Sequence, residues 1–334
     1  MSDEPLLRLE NLQVHFPVKG GALGGTIGQV KAVDGVSLTI RAGETLALVG
    51  ESGCGKSTTG NAILGLVNPT GGVVHFDGKA IDAGAASIKA LSSAVQVIFQ
   101  DPASALNPRM KLGESIAEPL RAHGVGKAER RARTLELLEL VGLDRRAYDK
   151  YPNEISGGQR QRVVIARALA LRPRLIVCDE PVSALDVSVR SQILNLLVDL
   201  QQRFGVAYLF ISHDMSVVRY ISDRVAVMYL GRIIEEAPAE ELFANPTHPY
   251  TQALLSAVPL SDPVAQRSKQ RIILEGELPS PMNAPAGCGF YPRCPIRLES
   301  CQAARPQLNP IAGRHRAACF VRAPEAAVLQ AAHA

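Results

Sequence analysis

The stretch Gly50-Glu51-Ser52-Gly53-Cys54-Gly55-Lys56-Ser57 satisfies the pattern G-x-x-x-x-G-K-[ST] in the setting that gives the pattern its meaning. Ahead of it, Glu44-Thr45-Leu46-Ala47-Leu48-Val49 is an apolar run of strand length. Behind it, Thr58 to Leu66 has the spacing of a helix that buries Ile63, Leu64 and Leu66. Strand, glycine loop and helix in this order put backbone N–H groups at the positive end of a helix, a cradle for di- or triphosphate oxygens. Lys56 is expected to reach the β- and γ-phosphates and Ser57 to ligate Mg²⁺, with Gly50, Ser52, Gly53, Cys54, Gly55 and Thr58 forming the rest of the loop.

The surrounding chain has 334 residues, 46% of them hydrophobic, and its length suggests one large domain with an extension. A formal net charge of +4 without a run of five basic residues does not favour nucleic acid as a partner. The most basic segment, Lys127 to Arg133, reads as a solvated helix face. No apolar run reaches the roughly 18 residues that cross a bilayer, and Met1-Ser2-Asp3-Glu4 is acidic where a signal peptide is basic. A cytoplasmic protein is expected, one that meets membranes through a partner.

Before the loop, Leu6 to Val18 and Val30 to Ile40 alternate like strands, with the glycine-rich Gly20 to Gly28 as an exposed hairpin loop between them. Phe16 on the first strand is either a core aromatic or a face for stacking a base. After the loop, Val73 to Asp77 and Val95 to Phe99 are short strands, and Gln100 at the carboxyl end of the second lies where open α/β sheets place ligands. It could there touch Mg²⁺ or the attacking water, or Gln100-Asp101-Pro102 could simply turn the chain. Leu112 to Leu143 reads as one helical insertion with Leu135, Leu137, Leu138 and Leu140 on its apolar stripe. Past Pro152, Ile155-Ser156-Gly157-Gly158-Gln159 opens a helix over Arg160 to Leu171, and its N-terminus makes a second anion site.

Arg174 to Cys178 is a buried-strand run closed by Asp179 and Glu180, and two carboxylates there are costly unless they meet a cation or a reactive water. Asp179 suits Mg²⁺ held through water, and Glu180 suits polarising the water that attacks a γ-phosphate. Helix Val187 to Phe204 follows, then strand Ala207 to Ile211, then His213, again at a strand's carboxyl end.

This ordered set, over about Leu6 to Ala237, resembles the ATP-binding cassette ATPases. The resemblance implies an adenine-stacking Phe16, a Q-loop at Gln100, a signature at Ser156 to Gln159, a D-loop at Asp186 and a switch histidine at His213. Ile155 stands where the family more often has Leu. The resemblance also implies a dimer, in which Ser156, Gly158 and Gln159 close over ATP bound to the opposite subunit. The implied fold is an α/β P-loop ATPase core with an antiparallel β subdomain and an α-helical signature subdomain at about 102–171.

Val14 to Gly20, Gln100 to Arg109 and Asn245 to Leu255 resemble the dipeptide/oligopeptide importer ATPases, in particular the second of their two ATPase subunits. This implies ATP hydrolysis coupled to peptide uptake at the cytoplasmic face of the membrane. The implied partners are a second, homologous ATPase subunit in a heterodimer, two transmembrane permease subunits and an extracytoplasmic peptide-binding protein. Importers of nickel or glycosides within the subfamily, and soluble cassette ATPases of DNA repair or translation, are the alternatives. A P-loop GTPase or kinase is disfavoured, since no N-K-x-D motif follows.

The domain reading is an ATPase domain at 1–258 and an extension at 259–334 that carries Cys288, Cys294, Cys301 and Cys319. Disulfides are not expected in a cytosolic protein. The spacing C-x5-C-x6-C-x17-C lacks the close pairs of structural zinc sites. Four thiolates suit an iron–sulfur cluster, and the resemblance implies [4Fe–4S]; zinc and free thiols are the other readings. Cys54 and Cys178 read as small packing residues.

Overall fold

The computed structural model describes residues 4–20, 25–81, 85–259, 266–267, 270–277 and 279–323. It falls into two compact units: Met1–Leu6, Ile40–Glu44 and Ile81–Ile211 form one, and Leu7–Thr39, Thr45–Ala80 and Ser212–Ala334 the other.

In the first unit three parallel strands, Val95–Ile98, Leu175–Asp179 and Ala207–Ser212, pair side by side, Val97 opposite Val177 and Val177 opposite Leu209. Parallel strands covered on both faces read as continuous apolar runs, and Leu175 to Cys178 and Ala207 to Ile211 are buried throughout. Helix Val187–Phe204 connects the last two and buries Ile193, Leu194, Leu197 and Leu200. The predicted helical insertion is broken in two, Leu112–Ala122 and Lys127–Leu140, because Gly124 takes a left-handed conformation at φ 78 between them. Leu137 and Leu138 of the expected stripe are buried with Thr134, while Leu135 and Leu140 are half-buried.

The signature helix spans Gly157–Ala168, three residues ahead of the expected start. Ser156 and Gln159 form a reciprocal capping box, Gln159 N–H donating to Ser156 Oγ at 3.3 Å and Ser156 N–H to Gln159 Oε1 at 3.0 Å. Gly158 is required by a neighbour: a Cβ there would lie 2.5 Å from Val189 Cγ1. Val189 is half-buried and packs over that glycine.

In the second unit an antiparallel sheet runs in the order Gly25–Ile40, Leu7–Gly20, Gly71–Phe76, Lys79–Ala80. The expected glycine hairpin is shorter than its pattern: both long strands extend into it, and residues 21–24 lie outside the described residues. A further sheet run orders Asn309–Ala312, His315–Ala317, Arg232–Pro238, Arg224–Tyr229 and Thr45–Val49, of which only the last pair is parallel. His315 secures its strand by facing Glu235 at 2.8 Å and Glu241 at 3.2 Å, and Glu235 also accepts the N–H groups of Thr247 and His248.

Candidate active site

The strand Thr45–Val49 is fully buried and delivers the chain into the glycine loop, after which helix Lys56–Ile63 begins with Gly55 as its N-cap at φ 110. The loop is tight enough to demand glycine: a Cβ on Gly55 would sit 2.0 Å from the Ala32 carbonyl oxygen, and one on Gly50 2.2 Å from that of Met228. The helix stops sooner than its apolar spacing suggests, because Gly65 turns left-handed, and Leu66 is exposed. Lys56 is buried; its Nζ donates to the carbonyls of Gly50 at 2.8 Å and Glu51 at 2.9 Å, with Cys54 Sγ 3.8 Å away. Burial raises the Cys54 thiol pKa, with the Lys56 ammonium pulling the other way, so Cys54 packs as a small neutral residue. Ser52, Gly53 and Ser57 are exposed, and Thr58 is half-buried.

Phe16 is 41% exposed on the strand Leu7–Gly20, whereas Val14 is buried, so the core reading of Phe16 is discarded. His213 is exposed and directly precedes Asp214, which caps helix Met215–Ile221 by accepting from the N–H groups of Ser216 and Val217.

In the first unit, Gln100 and Glu180 meet at the carboxyl ends of adjacent parallel strands. Gln100 Nε2 donates to Glu180 Oε2 at 3.1 Å. Glu180 adopts a left-handed φ of 47, uncommon for a residue with a Cβ, and its N–H donates to the Ile211 carbonyl at 3.0 Å. Asp179 and Glu180 are half-buried, which reduces the burial cost expected from the apolar run before them. The turn reading of Gln100-Asp101-Pro102 also holds in part, because Asp101 accepts from the N–H groups of Ala103 and Ser104 and starts helix Pro102–Ala105. Asp186 is the N-cap residue of helix Val187–Phe204.

The four cysteines of the extension lie together. Cys288, Cys294, Cys301 and Cys319 all border one small cavity with Phe290 and Phe320, and none is disulfide-bonded. Among the described residues no three His, Cys, Asp or Glu side chains converge as a metal-holding group. Burial pushes the Cys288 thiol up to about 11 and raises Cys294. Sequence reasoning also missed Tyr250 and Arg293, both of which bond to Glu51 of the glycine loop. Arg293 was hidden among the cysteines, and nothing local tied it to a loop 242 residues away.

A glycine loop opening a helix after a buried strand, together with carboxylates and a glutamine ending parallel strands, defines a P-loop nucleotide hydrolase. Residues 33–183 match the family model described as ABC transporter, and residues 234–301 match that described as Oligopeptide/dipeptide transporter, C-terminal region. The chain is 49% identical to the dipeptide transport ATP-binding protein of Escherichia coli (strain K12), over 95% of this chain and 94% of the relative. It is 48% identical to an oligopeptide transport ATP-binding protein of Bacillus subtilis (strain 168), over 96% and 98%. Among solved structures it is similar to cbiO1 from Clostridium perfringens, part of the ABC transporter complex cbiONQ, with a TM-score of 0.64 at 30% identity, covering 73% of this chain and 92% of that one. An ATP-binding cassette in a dimeric post-hydrolysis state bound to ADP and Pi matches with a TM-score of 0.61 at 32% identity, over 70% and 98%. The chain belongs to the ATP-binding cassette transporter family, and it is an ATPase.

Proposed function

We propose that this chain is the ATP-hydrolysing subunit of a membrane importer of dipeptides or oligopeptides. The observation that carries the reading is the C-terminal match to the oligopeptide/dipeptide transporter region, in a chain that aligns almost end to end with peptide-transport ATP-binding proteins. Soluble repair or translation ATPases and nickel or glycoside importers have no comparable support.

In this reading the N–H groups of Gly50 to Thr58 and the Lys56 ammonium take the ATP phosphates, and Phe16 offers its exposed ring to adenine. Ser57, Asp179 and Gln100 would hold Mg²⁺, which would supply charge neutralisation to the phosphates. Glu180 orients and polarises the attacking water, and His213 contacts the developing γ-phosphate charge. Ser156, Gly158, Gln159 and Asp186 serve the composite site of a dimer, offering a capped helix N-terminus to the nucleotide of the opposite subunit. Residues 1–258 would form the ATPase domain and 259–334 the cysteine-bearing extension.

The partners are a second homologous ATPase subunit, two permease subunits and an extracytoplasmic peptide-binding protein. Among the described residues no helix is long and apolar enough to cross a membrane. In this reading the chain attaches at the cytoplasmic face through the permease. The convergence of Cys288, Cys294, Cys301 and Cys319 on one cavity supports a soft-metal site, [4Fe–4S] or zinc, formed when the thiols are deprotonated around the metal.

Deleting the gene should abolish uptake of labelled di- and oligopeptides, with wild type but not Glu180→Gln restoring it. Intact peptide uptake accompanied by loss of nickel or glycoside uptake would move the substrate to that class.

A further inference from the structure

Glu51, the residue after the first glycine of the phosphate loop, is held from three sides. Its N–H donates to the Tyr250 hydroxyl at 2.8 Å, and its carbonyl accepts from Lys56 Nζ at 2.9 Å. Its carboxylate takes a two-pronged pair from Arg293, Nη1 to Oε2 at 2.9 Å and Nη2 to Oε1 at 3.1 Å. The Arg293 side chain is 10% exposed and that of Glu51 30%. Both outside partners are braced by one aromatic cluster. The Tyr229 ring lies 4.8 Å from that of Tyr250 and 5.4 Å from that of Phe290, and Arg293 N–H donates to the Phe290 carbonyl at 3.0 Å.

A carboxylate in a loop that must receive phosphates is an electrostatic liability, since it opposes the charge the loop is built to hold. A guanidinium gripping it with two parallel hydrogen bonds removes that opposition and also sets the carboxylate's orientation, which a point charge cannot do. A pair this buried roughly breaks even in folding energy against well-packed apolar residues, so stability alone is a poor account of the geometry. The loop instead gains a defined position for Glu51, whose carbonyl shares the Lys56 ammonium.

We propose that Arg293 is a positioning residue for the nucleotide loop: by neutralising and orienting Glu51 it readies the loop N–H groups and Lys56 for the phosphates of ATP. This rests on the reading of Gly50 to Ser57 as the ATP site.

The test is Mg-ATP affinity of the full-length chain, measured by equilibrium binding of a fluorescent ATP analogue alongside melting temperature. Arg293→Ala is expected to weaken affinity on the order of tenfold, the scale of a lost charged hydrogen bond. Arg293→Lys should recover only part of it, and should Arg293→Ala fail to fold, the deficit in Arg293→Lys is the reading to use. Adding Glu51→Gln to either variant should restore affinity, because no unpaired carboxylate then remains. Unchanged affinity in the Arg293 variants, or a loss that follows melting temperature and is not relieved by Glu51→Gln, would overturn the proposal. Lys56→Ala separates the two readings. If it lowers affinity while the Arg293 variants do not, only the positioning role falls; if it too has no effect, the ATP site itself is misplaced and both fall.

Discussion

The Gln100 side-chain amide donates to the Glu180 carboxylate across 3.1 Å, joining the ends of two parallel strands through residues 80 apart in sequence. The left-handed backbone at Glu180 turns the carboxylate at the strand's end, and in the proposed role that carboxylate polarises the attacking water. Glu180→Gln is therefore expected to keep ATP binding and to lose turnover by roughly 10²-fold or more, the usual scale for a positioned base. Steady-state ATPase rates and nucleotide binding measured on the same preparations decide it; a turnover rate equal to wild type would remove Glu180 from the chemistry. Gln100→Ala should lower turnover less, because Glu180 keeps its own backbone anchors.

Lys56 donates to two carbonyls of its own loop, so Lys56→Ala removes both a phosphate ligand and an internal brace of the loop. Nucleotide affinity, rather than turnover at saturating ATP, should fall by about tenfold or more. Isothermal titration with Mg-ATP reads this directly. Intact affinity would be incompatible with Lys56 as a phosphate ligand.

His248 is buried, and burial depresses its pKa to about 3 from an ordinary value of 6.5. The folded value lies below the unfolded one, so the neutral ring's contribution to stability is complete above pH 6.5 and is lost as pH falls toward about 3. The loss is at most about 1.4 kcal/mol per pH unit. His248 Nδ1 accepts the Tyr250 N–H at the start of a helix, and Asn can supply an equivalent cap without titrating. Denaturation midpoints should drop less steeply for His248→Asn than for wild type between about pH 7 and about pH 5. Parallel slopes would assign the acid sensitivity elsewhere.

If the four-cysteine cavity takes a cubane cluster, anaerobically prepared protein should be brown and hold about four irons per chain. Cys294→Ser should then lose the metal, as read by elemental analysis. Colourless protein with stoichiometric zinc would select the zinc site, and neither metal would leave four free thiols.

Much of the site is written locally. The strand into Val49, the glycine loop and helix Lys56–Ile63 follow from apolar spacing and from turns that only glycine tolerates, and the Ser156–Gln159 capping box is a pattern of four residues. Hydrogen bonds of one to four residues' reach leave a signature along the chain, which is why these elements could be read in order. The break at Gly124 was equally local, but the leucine periodicity on either side of it masked the turn. Other features exist only because distant segments pack together. Phe16 is exposed although Leu12 and Val14, on the same strand face, are buried, because the core ends before it, and Gly158 is indispensable because Val189 rests on it. Four cysteines share a cavity, and Arg293 reaches Glu51 from 242 positions away. Contacts of that range leave no period in the sequence, because what sets them is the packing of whole elements and not the torsional preferences of neighbouring residues.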